Sequence, residues 1–121
     1  MVIIDEPILE ATTAFPRFNL VDETGAAIAG TSLSTFTLTY YDADTLTVLN
    51  SRSAQPVLNQ NGVTVDGQGL VTWTMTPDDT VLVSTTKERE LHVALWTWAW
   101  ASGTRTNRHE VGLYIERVSL G

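Results

Sequence analysis

Two histidines, His92 and His109, and five aspartates in or beside turns, Asp42, Asp44, Asp66, Asp78 and Asp79, are the side chains of this sequence best suited to chemistry. A general base must sit beside a nucleophile or a second acid, so each histidine is judged by what surrounds it. The sequence contains no Gly-Xaa-Ser-Xaa-Gly elbow, no Gly-rich phosphate loop, no His-Glu-Xaa-Xaa-His and no cysteine, which removes the common hydrolase, nucleotide and zinc signatures. His109 and Glu110 are neighbours in an extended segment and point to opposite faces, so they do not converge on one metal. His92 shares a strand face with tryptophans and reads as a histidine whose hydrogen bonds are met in the core. The aspartates could offer oxygen ligands to calcium, yet they form no ligand loop, and Asp side chains commonly bond nearby amides in turns and caps. The expectation is therefore a protein with no catalytic residue, no cofactor and no metal ligand.

Trp96, Trp98 and Trp100 recur at spacing two and so stand on one face of one strand, with Leu91, Val93, Leu95, Thr97 and Ala99 on the other. Both faces cannot line the same core. If Leu91, Val93 and Leu95 fill the space between two sheets, the tryptophans form an outward apolar strip that a soluble monomer seldom leaves uncovered. Trp is also enriched at the buried centres of protein interfaces. The inverse assignment puts the tryptophans in the core, with Thr97 and Ala99 outward or under the N-terminal segment. A third reading makes the strip an aromatic platform for sugar rings.

The elements that must position these residues are strands. Thr, Val and Ile make up 36 of the 121 residues, and β-branched side chains fit a pleated surface better than a helix. Period-two alternation predicts strands over Ser34 to Asp42 (Phe36, Leu38 and Tyr40 inward), Glu90 to Ala101 and Arg108 to Ser119. Thr45 to Leu49 is expected to return from Asp42-Ala43-Asp44 as a hairpin, with Leu46 and Val48 on one face. Val63 to Val65 and Leu70 to Thr76 read as a second hairpin around Asp66-Gly67-Gln68-Gly69, with Val71, Trp73 and Met75 inward. Phe15 to Val21 is a further strand, and Val81 to Val83 is expected to pack at the sandwich edge. The fold class is thus all-β, an antiparallel β-sandwich of about seven strands. Residues 1–13 read as an apolar N-terminal arm and 14–121 as the sandwich domain. Ile3, Ile4, Ile8 and Leu9 are the arm's expected docking residues, with Pro7 interrupting the run.

Fourteen acidic against seven basic side chains leave a charge of −7, which disfavours nucleic-acid partners, since phosphate binding depends on clustered Lys and Arg. The longest apolar run, Leu91 to Ala101, is broken by His92 and Thr97 and falls short of the ~20 residues of a spanning helix. No membrane partner is expected. Asp5, Glu6 and Glu10 replace the basic start of a secretory signal, and the lack of cysteine fits synthesis in a reducing cytoplasm.

Taken in order, Phe18-Asn19-Leu20-Val21-Asp22-Glu23-Thr24-Gly25, the Phe36-Thr37-Leu38 strand, Asp66-Gly67-Gln68-Gly69-Leu70-Val71 and Pro77-Asp78-Asp79-Thr80 resemble small immunoglobulin-like virion proteins of tailed bacteriophages. The N-terminal domain of phage baseplate upper proteins is similar over about Phe15 to Val118. The baseplate type continues into a stalk or receptor-binding region, whereas this sequence stops at Gly121 after its last strand, so a host-binding role is not carried over. What the resemblance implies is a noncatalytic structural protein of the virion, made in the host bacterial cytoplasm. It would join neighbouring subunits as a tail-fibre or spike adaptor, or decorate the capsid. Its expected partners are other virion proteins and copies of itself, through Ile3, Ile4, Ile8, Leu9, Trp96, Trp98 and Trp100. A carbohydrate-binding sandwich using the Trp strip, with a glycan as partner, is the alternative.

Overall fold

Leu33–Asp42, Arg89–Trp100 and Arg105–Glu116 are the longest strands of the structure, a computed structural model that describes residues 1–118. Each forms where the sequence alternates with period two, because one face of a strand can then be apolar throughout. In chain order the strands are β1 (Val2–Leu9), β2 (Arg17–Asn19), β3 (Leu33–Asp42), β4 (Gln55–Pro56), β5 (Val63–Val65), β6 (Leu70–Trp73), β7 (Arg89–Trp100) and β8 (Arg105–Glu116). Single 3-10 turns occupy Gly30–Ser32 and Pro77–Asp79. One sheet has the order β1-β8-β7-β3-β4 and the other β2-β6-β5. The expected all-β sandwich is thus present, antiparallel except where β1 runs parallel to β8.

Phe36, Leu38 and Tyr40 of β3 face inward with Ala94, Trp96 and Trp98, their partners on β7. Val71, Trp73 and Met75 close the core from the opposite sheet. Aromatic rings bridge the two layers: Trp73 meets Trp96 edge to face at 5.4 Å, and Phe18 meets Trp96 at 5.1 Å. Such pairs add to the large apolar area each ring buries.

Several expectations need correction. Met1 to Thr13 is not an arm outside the sandwich: its Val2–Leu9 part is the edge strand β1, with Ile4 opposite Leu113 and Ile8 opposite Ile115. Strand pairing satisfies the backbone of this segment, and Ile4 and Ile8 pack on the core. Pro7 lies where the pairing register shifts, between Ile4 and Ile8, so it interrupts the ladder without ending the strand. Thr45 to Leu49 is not a strand. Leu46 sits in the turn at φ 62° and is 69% exposed, Val48 makes a lone bridge to Tyr41, and Leu49 alone reaches the core. Asp42 causes this early turn, because its Oδ2 accepts from both the amide and the hydroxyl of Thr45. Val81 to Val83, expected to pack at the sandwich edge, has no regular secondary structure, and Val81 and Val83 are exposed. Ser119, the expected end of the last strand, lies outside the described residues, as do the last positions of the expected 14–121 domain.

Gly69 shows how tightly the β5–β6 turn is docked. It has φ 84°, and a Cβ there would lie 2.0 Å from the Ile28 carbonyl oxygen. Gly69→Ala is expected to destabilise the fold by about 1–3 kcal/mol, read as a lower urea midpoint. Gly67 has open space around it, so Gly67→Ala should leave that midpoint nearly unchanged.

Candidate functional site

The parity of β7 decides which apolar set faces out. Trp96, Trp98 and Trp100 all point into the core, with Trp96 and Trp98 each 1% exposed. They are packed by this chain's own residues, so they present no surface to a partner, and the expected interface role of these three is corrected. The same burial removes the sugar platform, since Trp73 is in the core as well. Leu91, Val93 and Leu95 lie on the opposite, outer face.

There, neighbouring strands continue the apolar set. Tyr41 pairs with Val93, Val93 with Gly112 and Gly112 with Ile3, giving one row across β3, β7, β8 and β1. Leu91 pairs with Tyr114 beside this row, and Leu95 with Glu110. Gly112 leaves a shallow dip into which Leu91, Ile3 and Met1 lean, at 3.1, 3.2 and 3.5 Å from where a Cβ would stand. Among the described residues no strand pairs with the outer edge of β1. Ile3 and Leu9 are 40% and 51% exposed there, whereas Ile4 and Ile8 are partly buried against the core. The four expected docking residues are thus divided by strand parity and by the register shift at Pro7. Alongside β1, a cleft of about 500 Å³ is lined by Ile4, Ile8, Leu9, Ala14, Phe15 and Leu113. Phe15 stands at its rim, 58% exposed.

A second feature lies at the other end of β3 and β7, inside the sandwich. His92 is fully buried, with Nε2 2.8 Å from Glu90 Oε1 and Nδ1 3.2 Å from the Tyr40 hydroxyl. Glu90 accepts from the amides of Val83 (2.8 Å) and Ser84 (2.6 Å). Burial pushes the Glu90 carboxyl up, but the hydrogen bonds from His92, Ser84 and Val83 outweigh it and leave the group below the usual carboxylate range. Tyr40 donates to the Asp79 carbonyl at 2.8 Å, and burial drives its hydroxyl well above the ordinary phenol range. Asp79 in turn closes a capping box with Thr76 and holds Arg52.

The two histidines do not meet. His109 pairs with Trp96, four positions from His92 along β7, or about 13 Å at strand spacing. Its ring lies 5.1 Å from Phe18, and burial, then the N-terminal amine, holds it below the usual imidazole range. Of the other aspartates, Asp66 bonds the amides of Gln68 and Leu70, and Asp44 pairs with Lys87. What the sequence reading missed is the grouping of Asp42 and Glu90 with His92. Glu90 and His92 share a face by parity, but Asp42 joins them only because it is the β3 partner of His92. Comparison of the chain with protein-family models, with curated proteins and with solved structures finds no match in any of the three.

Proposed function

We propose that the chain is a noncatalytic assembly module that joins neighbouring protein subunits, copies of itself among them, through the outer face of the five-stranded sheet and its β1 edge. The observation that carries this reading is the unpaired β1 edge with its exposed Ile3 and Leu9, next to the half-buried Tyr41, Leu91, Leu95 and Tyr114 that cover Val93 and Gly112 on the face turned away from the core. Apolar side chains gathered along an open edge are common at interfaces. An unpaired edge strand adds main-chain groups that a neighbour can use. The setting we propose is a tailed-phage particle, on the strength of the turn and strand order from Phe15 to Val118. A many-copy shell or tail component needs surface contacts rather than chemistry, and closed symmetry repeats one patch many times.

Light scattering across a concentration series is expected to give a mass above the 13.3 kDa of one chain, rising with concentration. Because apolar contacts are little affected by salt, the mass should persist when ionic strength is raised. Ile3→Lys with Leu95→Lys should return the protein to monomer with an unchanged circular dichroism spectrum. A monomer at every concentration overturns self-association. For the setting, mass spectrometry of purified particles should find the chain as a many-copy component, and its absence from particles overturns that part. Deletion of Met1 to Glu10 is a poor probe, because it removes a sheet strand and uncovers Leu113 and Ile115.

A further inference from the structure

We propose that Asp42, Glu90 and His92 form a binding site for one divalent cation of the first transition series, such as Zn2+ or Mn2+, tying the end of β3 to β7 and to the 83–84 segment. The ligand atoms would be Asp42 Oδ1, Glu90 Oε1 and His92 Nε2, which lie within 4.8 Å of one another, all on buried residues. One imidazole with two carboxylate oxygens suits a borderline cation better than calcium or magnesium, which favour all-oxygen sets.

The independent sign of a missing partner is Asp42 Oδ1. Its side chain is 2% exposed and this oxygen has no hydrogen bond, although Oδ2 of the same carboxylate has two. Leaving such an acceptor unmet is costly, the more so when it is charged. The orphan atom points at the cluster, 3.9 Å from His92 Nε2.

Proton placement around His92 agrees. The Asp79 carbonyl can only accept, so Tyr40 gives it the hydroxyl proton, and His92 Nδ1 must donate to Tyr40. This fixes Nδ1–H and turns Nε2 toward two carboxylates. The space among these three groups can hold either a proton or a metal ion. A divalent ion neutralises both carboxylates, whereas an imidazolium leaves one buried negative charge uncompensated. The surroundings already make the outer hydrogen bonds that metal ligands need: Tyr40 orients His92, Thr45 orients Asp42, and the Val83 and Ser84 amides orient Glu90. A surface hollow of about 270 Å³, lined by Asp44, Lys87, Arg89 and Leu91 among others, adjoins Asp42 and Glu90.

The test uses the untagged full chain, stripped with EDTA and dialysed, and titrated calorimetrically with ZnCl2 and separately with MnCl2. Saturable binding near one ion per chain is expected for at least one of the two. Saturation should raise the thermal midpoint by about 5 °C or more. Asp42→Asn keeps an oxygen for Thr45 but loses the anionic ligand, and should weaken binding by about 100-fold. His109→Gln, which alters only the partly exposed histidine, should bind like the parent. If Asp42→Asn does not fold, the imidazole 15N spectrum of the parent chain decides: metal should remove the His92 Nε2 proton and leave the Nδ1 proton. Absence of saturable binding of either ion up to millimolar, equal binding by Asp42→Asn, or a His92 Nε2 proton that persists at saturation would each overturn the site in favour of a protonated imidazole.

Discussion

Replacing Arg52 with methionine is expected to destabilise the fold by about 3–5 kcal/mol, the usual cost of stranding one partner of a buried ion pair. Arg52 Nε and Nη2 reach the two oxygens of Asp79 at 2.7 and 3.1 Å, and both side chains are almost fully buried. Nη1 of the same guanidinium donates to Gln55 Oε1 and to the Asn61 carbonyl, at 2.6 and 3.0 Å. Around it Asn50, Ser51, Ala54, Asn59 and Asn61 all have positive φ, so the β3–β5 connection is held in conformations that isolated chains rarely adopt. Methionine keeps much of the apolar stem but removes the charge and the guanidinium that lies over Trp73, 5.4 Å from the ring centre. Chemical denaturation followed by circular dichroism measures the loss. A loss below about 1 kcal/mol would mean that the pair behaves as a solvated surface bridge.

The Arg52→Met/Asp79→Asn double variant should recover part of that loss, because no buried charge is then left alone. It also isolates a pH effect. Burial pushes the Asp79 carboxyl up, but Arg52, Asn50 and the Thr76 amide donate to it, and their sum holds it below the usual carboxylate range. A carboxyl lowered in the folded state contributes stability that is complete above its unfolded value, roughly pH 4, and is lost as pH falls through the folded value. Below about pH 4 the parent chain should therefore lose stability more steeply than the double variant. Equal slopes would assign the acid sensitivity to other carboxylates.

Trp96→Ala is the second large effect, expected at about 3–5 kcal/mol through lost burial and the cavity left behind. Its ring contacts Phe18, Phe36 and Trp73 at centroid distances of 5.1, 5.5 and 5.4 Å, so it joins strands from both sheets. Native emission of the parent should be blue-shifted, as all four tryptophans are buried, and should move red in one step on unfolding. Leu95→Lys, one residue away on the outer face, should leave both the emission and the denaturation midpoint nearly unchanged. If instead Leu95→Lys unfolds the chain and Trp96→Ala does not, the faces of β7 have been assigned the wrong way round. The contrast separates core from contact surface independently of any partner.

Local pattern made much of this legible. Alternation in Phe36 to Tyr40 and Val111 to Ile115 identified strands and their inward residues, because side chains on a strand change face at every step. Asp66-Gly67-Gln68-Gly69 identified a turn, since Asp66 bonds its own downstream amides and Gly69 takes positive φ. The same reasoning failed at Thr45 to Leu49, where β-branched composition suggested a strand and the Asp42–Thr45 bonds turned the chain first. It also failed for Met1 to Thr13, because an edge strand pairs with a partner more than 100 positions away and no local signal announces it.

By itself the sequence determined the all-β class, three long strands, the Asp-Gly turns and the two alternating sets on β7, all of which depend on neighbours in the chain. Only the tertiary structure decided which set is core. Both are apolar, and the choice rests on which one meets Phe18 and Trp73 from the opposite sheet. It likewise decided that Asp42 stands beside His92. Parity places a side chain on a face, but the register between strands fifty positions apart is set by the packing of the whole sheet, and it is register that brings Asp42, Glu90 and His92 together.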